Sequence, residues 1–197
     1  MKSTFLPRDV STPSGTNLAV LAVTLYVQYM AKKNEQQLRK YWLFKTEPDC
    51  FGIDHLAKLP NQTGTWDGVR NYQSRNFLRD DVKQGDGVFF YHSSCPVTGI
   101  AGICEVSKSG YPDHTGWDPT NEHFDPKVSP SNPVWYMVDV RLRLKFDTII
   151  TLTELKANPR LADMMVVQRG SRLSIQPVKP DEWLAVLQMA KLADPLK

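Results

Sequence analysis

The sequence predicts an α+β fold, a small mixed β-barrel with short flanking helices. Three observations point there. Strand-like stretches run through most of residues 41–197. Short helices and long loops interrupt them. There is no βαβ rhythm, and no run at 3.6-residue spacing is long enough for a bundle. The chain has 197 residues, 41% of them hydrophobic, which suffices for one cored domain plus an extension but not for two full domains. Charged residues make up 23%, an ordinary share for a folded protein, and the net charge of +3 permits a polyanionic partner without demanding one.

Residues 1–40 read as an extension apart from a domain at 41–197. Residues 1–16 hold Pro7, Pro13, Gly15 and many hydroxyl side chains, a loop composition. Residues 18–31 are apolar except for Thr24 and Gln28, too short a run to span a bilayer. Lys32 and Lys33 stand where a signal peptide would carry small cleavage-site residues. Three readings stay open for this run: a packing helix, an atypical export or anchor segment, or a leader from a misplaced start codon.

In the domain, residues 41–47 alternate as a strand that Pro48 ends. Ile53, Leu56 and Ala57 mark a short helix, and residues 61–64 a loop. Trp66, Asp67 and Gly68 form a turn. Asn71 caps a helix over 72–81, with Phe77 turned to the core. A turn at 84–87 leads into a buried strand at 88–91, which His92, Ser93 and Ser94 leave for solvent or a cleft. Residues 99–106 are a second strand, whose Gly99 and Gly102 predict close backbone approach. Residues 107–133 form a long loop rich in Pro, Asp and aromatics. The clearest strand covers 134–146, with an apolar face and a wet face carrying Trp135, Met137, Asp139, Arg141, Arg143 and Lys145. Thr151 and Glu154 form a capping box over a helix that Asn158 and Pro159 end. A short helical stretch to Met165, a last strand over 172–178 and a terminal helix from Pro180, packed by Trp183, Leu184, Leu187 and Met189, complete the chain.

Cys50, Cys95 and Cys104 are odd in number and widely spaced, and no C-x-x-C occurs. That argues against a disulfide framework or a zinc knuckle, and fits a reducing, intracellular place: cytoplasmic in a bacterium, nuclear in a eukaryote. His114 and His123, beside Asp113 and Asp125, match no zinc spacing, so no metal and no cofactor are predicted. Cys95, three residues after His92, lacks any motif that would make it a nucleophile, so no catalytic residue is predicted.

Several blocks in order carry a resemblance: YWLFKTEP (41–48), WDGVRNYQSRNF (66–77), GD (85–86), FYHS (90–93), WYMVDV (135–140) and GSRLSIQPV (170–178). Together they resemble the EVE domain family over about residues 41–190. Ser74 and Thr46 stand where the family usually has Ala and Ser. The resemblance implies a PUA-like fold and a non-enzymatic reader of modified nucleobases, modified cytosine in DNA first; relatives of the same architecture read RNA. The rival class is an enzyme acting on a nucleotide or nucleobase. A third is an interaction module built on residues 18–31.

Such a reader needs aromatic faces for a base taken out of the stack, fixed donors and acceptors for its edge, and cations for the flanking phosphates. Trp42, Trp66, Tyr72 and Tyr91 supply faces, though each also suits a core position. Asn71, Asn76, His92, Ser93, Lys45 and Glu47 supply polar edges; Asn71 equally serves as a cap, and Lys45 with Glu47 as a surface ion pair. Arg70, Arg75, Arg79, Arg169 and Arg172 are the phosphate candidates. Nucleic acid is the expected partner.

Overall fold

The computed structural model describes residues 23–27, which are helical, and 39–197. The rest of the predicted extension lies outside the described residues. Among those described, no helix is long and apolar enough to cross a membrane.

Six strands make one mixed sheet: β1 (Tyr41–Thr46), β2 (Thr63–Trp66), β3 (Gly87–His92), β4 (Gly99–Pro112), β5 (Tyr136–Thr151) and β6 (Ile175–Val178), in the order β2-β5-β4-β3-β1-β6. β1 runs parallel to β3, with Tyr41 opposite Gly87 and Thr46 opposite His92, and antiparallel to β6. The ladder leaves β2 and β6 as edges. On a flat sheet β2 and β1 would stand four strand spacings apart, about 19 Å. Instead the Trp66 ring of β2 lies 5.2 Å, centroid to centroid, from Phe44 of β1 and 5.2 Å from Phe90 of β3. The sheet is therefore curled. The predicted barrel is approached but left open: side chains such as Trp66 bridge toward the facing strands, and the last seam has no hydrogen-bonded ladder.

The curl creates two cores. Inside lie Trp42, Phe44, Trp66, Phe90, Val138 and Val140. Outside lie Leu43, Phe89, Tyr91 and Ile103, covered by α4 (Leu152–Ala157) and α5 (Pro180–Met189) through Leu155, Trp183 and Val186. Trp183 stacks on Tyr41 and Phe89, at 4.5 and 4.2 Å. β1 and β3 are thus buried on both faces, which explains their unbroken apolar runs. A β-carbon at Gly102 would stand 2.4 Å from the Leu144 carbonyl oxygen, so the predicted close approach occurs there.

The smaller helices are α1 (Pro48–Phe51), α2 (Ile53–Lys58) and α3 (Tyr72–Asn76). Asn71 caps α3, accepting from the Ser74 amide at 3.0 Å. The helix then widens into a π turn at Phe77–Asp81. Thr151 and Glu154 form the predicted capping box on α4.

Several expectations are corrected. Thr63–Trp66, read as loop and turn, form β2 against β5, and the strand read over 134–146 runs as Tyr136–Thr151. β4 continues to Pro112, because its last residues pair with β5, so the long loop starts later. β6 begins at Ile175, where its ladder to β1 starts. Trp135 and Met137 are buried, since the loop beside them folds over that end of β5; Arg141, Arg143 and Lys145 remain exposed as predicted. Leu184 faces outward and leaves the packing of α5 to Trp183, Val186 and Leu187.

Candidate functional site

A cleft of about 630 Å³ opens at the unpaired seam. The end of β1 supplies Lys45, Thr46 and Glu47, and Ser174 stands just ahead of β6. Across from them, β2 and the turn after it supply Thr65, Trp66 and the segment from Asp67 to Asn71. Trp66 is held from behind by Phe90 and Phe51.

Lys45 is half-buried. Its Nζ donates to the Ser171 carbonyl at 3.1 Å and lies 5.9 Å from the centre of the Tyr91 ring. Burial pushes its pKa down. It forms no ion pair with Glu47 among the described residues, so the surface pair considered for these two does not form; both face the cleft. Asn71 reaches the cleft while capping α3.

The rim beyond Trp66 is set by a cluster whose members the sequence reading named separately, Arg70 for phosphate and Asp113 with His123 as a rejected metal site, without bringing them together. Gly68, at φ +70°, donates its amide to Asp113 at 3.0 Å. A β-carbon there would sit 2.4 Å from the His123 imidazole, so the glycine lets His123 close on the cleft. Asp113 also accepts from Arg70 Nη1 at 2.8 Å and from the Thr115 amide and hydroxyl at 2.9 and 2.6 Å. Burial alone would raise the Asp113 carboxyl; the donors from Arg70, Thr115 and Gly68 outweigh it and hold it below the usual carboxylate range. Arg70 directs Nε and Nη2 at the His123 carbonyl, at 2.9 and 2.6 Å, and Nη2 also at Thr115. It lines the cleft, but its donor edges are occupied. The local signal for Asp113 was Asp-x-Thr at a turn; nothing local announced that Arg70, read as a phosphate candidate, binds it.

Of the residues predicted for the base pocket, Lys45, Glu47, Trp66 and Asn71 come together in this cleft. The others do not line it. Trp42 sits at the opposite end of β1 and donates its Nε1 to buried Asp86 at 2.9 Å. Tyr91 alternates to the outer core, where burial pushes its hydroxyl up to about 12. His92 stays in β3 rather than leaving it; its Nε2 accepts the Ile53 amide at 3.1 Å, and burial holds the imidazole below its ordinary pKa. Ser93 donates its hydroxyl to the Thr46 carbonyl at 3.2 Å, beside the cleft. Asn76 is exposed and accepts from Arg75 Nε at 2.8 Å. Tyr72 is exposed and packs on Trp135 at 5.0 Å.

Among the phosphate candidates, Arg75 lies over Tyr72 at 5.2 Å and donates Nη1 to the Val134 carbonyl. Arg79 pairs with Asp80 at 2.8 Å. Arg169 and Arg172 are exposed on the loop leading to Ser174. Among the described residues, no group of three or more His, Cys, Asp or Glu side chains is placed to hold a metal ion.

A curled α+β sheet with an open, ligand-sized seam defines the class, a PUA-like domain. The EVE domain model matches residues 40–189, and the chain belongs to the EVE domain family. Thymocyte nuclear protein 1 of Homo sapiens is 42% identical over 200 residues, covering 92% of this chain and 88% of its own length. A Pseudomonas putida protein of known crystal structure is 45% identical, with 76% of this chain and 99% of its own covered at a TM-score of 0.73. The crystal structure of human THYN1 protein in complex with 5-methylcytosine containing DNA is 41% identical, with 79% of this chain and 99% of its own covered, also at 0.73.

Proposed function

We propose that this chain is a non-enzymatic DNA-binding module that takes a modified cytosine, 5-methylcytosine first, into the cleft at the seam. The observation that carries the reading is the cleft itself, in a domain whose human relative is crystallised with 5-methylcytosine containing DNA. Removing the base from its stack costs a few kcal/mol, which the pocket must offset. Trp66 presents an apolar wall to the ring and its methyl group. Glu47 accepts from the exocyclic amine, Lys45 donates to the carbonyl edge, and the Asn71 amide nitrogen donates while its oxygen caps α3. Arg169 and Arg172 meet flanking phosphates. Binding without turnover is supported by the structural work of several polar side chains at and behind the cleft: Asn71 caps a helix, Thr65 bonds Asp67 at 2.7 Å, and Asp113 ties two loops. A domain over residues 41–197, with 1–40 as an extension, is supported by a family match that begins at residue 40. A DNA reader works inside the cell, where its ligand is.

The test is equilibrium binding of the full chain to matched oligonucleotides carrying cytosine, 5-methylcytosine or 5-hydroxymethylcytosine, as DNA and as RNA, across a salt series. The expected outcome is at least about tenfold tighter binding to one modified DNA, or about 1.4 kcal/mol, reduced by Glu47→Gln and by Asn71→Ala. Equal binding that fades with salt is phosphate attraction alone and would refute the base reading. Preference for the RNA strand would move the ligand to RNA.

A further inference from the structure

Beside the cleft lies a tier of aromatic rings and guanidinium groups that the base pocket does not use. Trp135 is its buried layer, fixed by a bond from its Nε1 to Asp125 at 2.9 Å. The Arg70 guanidinium lies 5.4 Å from the Trp135 ring centre, and that of Arg75 lies 6.0 Å away. Tyr72 packs on the same Trp135 at 5.0 Å, with Arg75 at 5.2 Å from its ring. Yet Tyr72 is 61% exposed. A lone exposed tyrosine is ordinary. What sets this one apart is the layer beneath it.

Arg70 has all three guanidinium nitrogens on protein acceptors, and Arg75 has two of its three there. Arg70 binds Asp113, Thr115 and the His123 carbonyl; Arg75 binds Asn76 and the Val134 carbonyl. A phosphate or carboxylate needs those edges. A planar ring needs an aromatic surface, and the exposed Tyr72 ring is the one this tier offers. Its geometry is fixed by buried Asp113 and Trp135, so little freedom is lost when a ring lands on it. Tyr72 also follows Asn71, which lines the cleft, directly in sequence. The two residues are one Cα step of about 3.8 Å apart, so the Tyr72 ring projects from the chain directly next to the cleft wall.

We infer that the exposed face of Tyr72 is a second nucleobase subsite, which stacks the nucleotide adjacent to the one held in the cleft. It rests on the reading of the cleft as a base pocket. The subsite takes any base, since every base has a π face, and adds affinity without choosing sequence.

The test uses the full chain and duplexes with a central 5-methylcytosine, either intact or with an abasic analogue 5′ or 3′ of it, and a cytosine control. Tyr72→Ala and Tyr72→Leu are each expected to weaken binding to the intact methylated duplex about tenfold; Tyr72→Leu keeps an apolar contact with Trp135 but no aromatic face. Tyr72→Phe is expected to bind as the unaltered protein does. On one of the two abasic duplexes the difference between Tyr72→Ala and the unaltered protein is expected to shrink below twofold. Preference for methylcytosine with no loss in Tyr72→Ala overturns the subsite and leaves the cleft reading intact. So does a loss that stays equal on both abasic duplexes, because the ring then acts on something other than a neighbouring base. An unaltered protein that binds cytosine and methylcytosine alike overturns the cleft reading and the subsite with it.

Discussion

Arg70 and Arg172 carry the same charge into opposite surroundings. Arg70 lines the cleft, yet every nitrogen of its guanidinium is bonded to the loop beyond Gly68, and its face is turned to Trp135. Arg172 stands exposed on the loop ahead of β6, with no bond or ion pair to its side chain among the described residues. Proximity to a site therefore says little about what an arginine does there. The first is a structural rivet whose charge is already answered by Asp113. The second leaves its donors exposed to solvent.

Removing Asp113 breaks this contrast most directly. Asp113→Ala strands a partly covered guanidinium and the donors of Thr115 and Gly68, and is expected to cost about 3 kcal/mol, read as a lower urea midpoint. Its carboxyl is depressed in the folded state, so its contribution is complete above the ordinary value of about 3.9 and is lost as pH falls through the folded pKa. Acid unfolding below about pH 4 should accordingly be shallower in Asp113→Asn than in the unaltered protein.

His92 acts at milder pH. Its folded pKa is depressed by burial, so the unfolded chain takes up the proton first. Stability is therefore full above about pH 6.5 and falls as pH drops from there toward the folded value. Urea midpoints measured between pH 7.5 and 5 should decline, and His92→Asn should flatten that decline. A steady midpoint in the unaltered protein would contradict a depressed pKa for this imidazole. The smallest effect on stability comes from the exposed loop. Arg169→Ala with Arg172→Ala should leave the fold within about 0.5 kcal/mol. The same pair should lower the salt slope of DNA binding by about two, one for each phosphate no longer neutralised. If Arg70→Ala behaves the same way, the contrast drawn above fails.

The sequence announced what is local. Asn71 before a helix, Thr151 with Glu154, and the alternation of Arg141, Arg143 and Lys145 each follow from neighbours a few residues apart, and each stands as read. The family blocks also placed the fold. The facing of β1 and β3 was hidden, because a strand buried on both sides loses its alternation. Trp42, Tyr91 and His92 looked like pocket residues by type and proved to be core members or amide acceptors by place. The curl that sends Trp66 to the cleft while Trp42 stays at the far end is a property of the whole sheet. The tie from Arg70 to Asp113 spans 43 positions, beyond the reach of any local motif.

The open seam has a consequence for solubility. A strand edge without a partner is where a second molecule adds its own strand and self-association begins. Here each edge is only four residues long, and β6 carries Pro177, which has no N–H to offer. Short, interrupted edges give an incoming chain too few bonds to hold. An edge this short is a poor template for strand addition on that side of the domain.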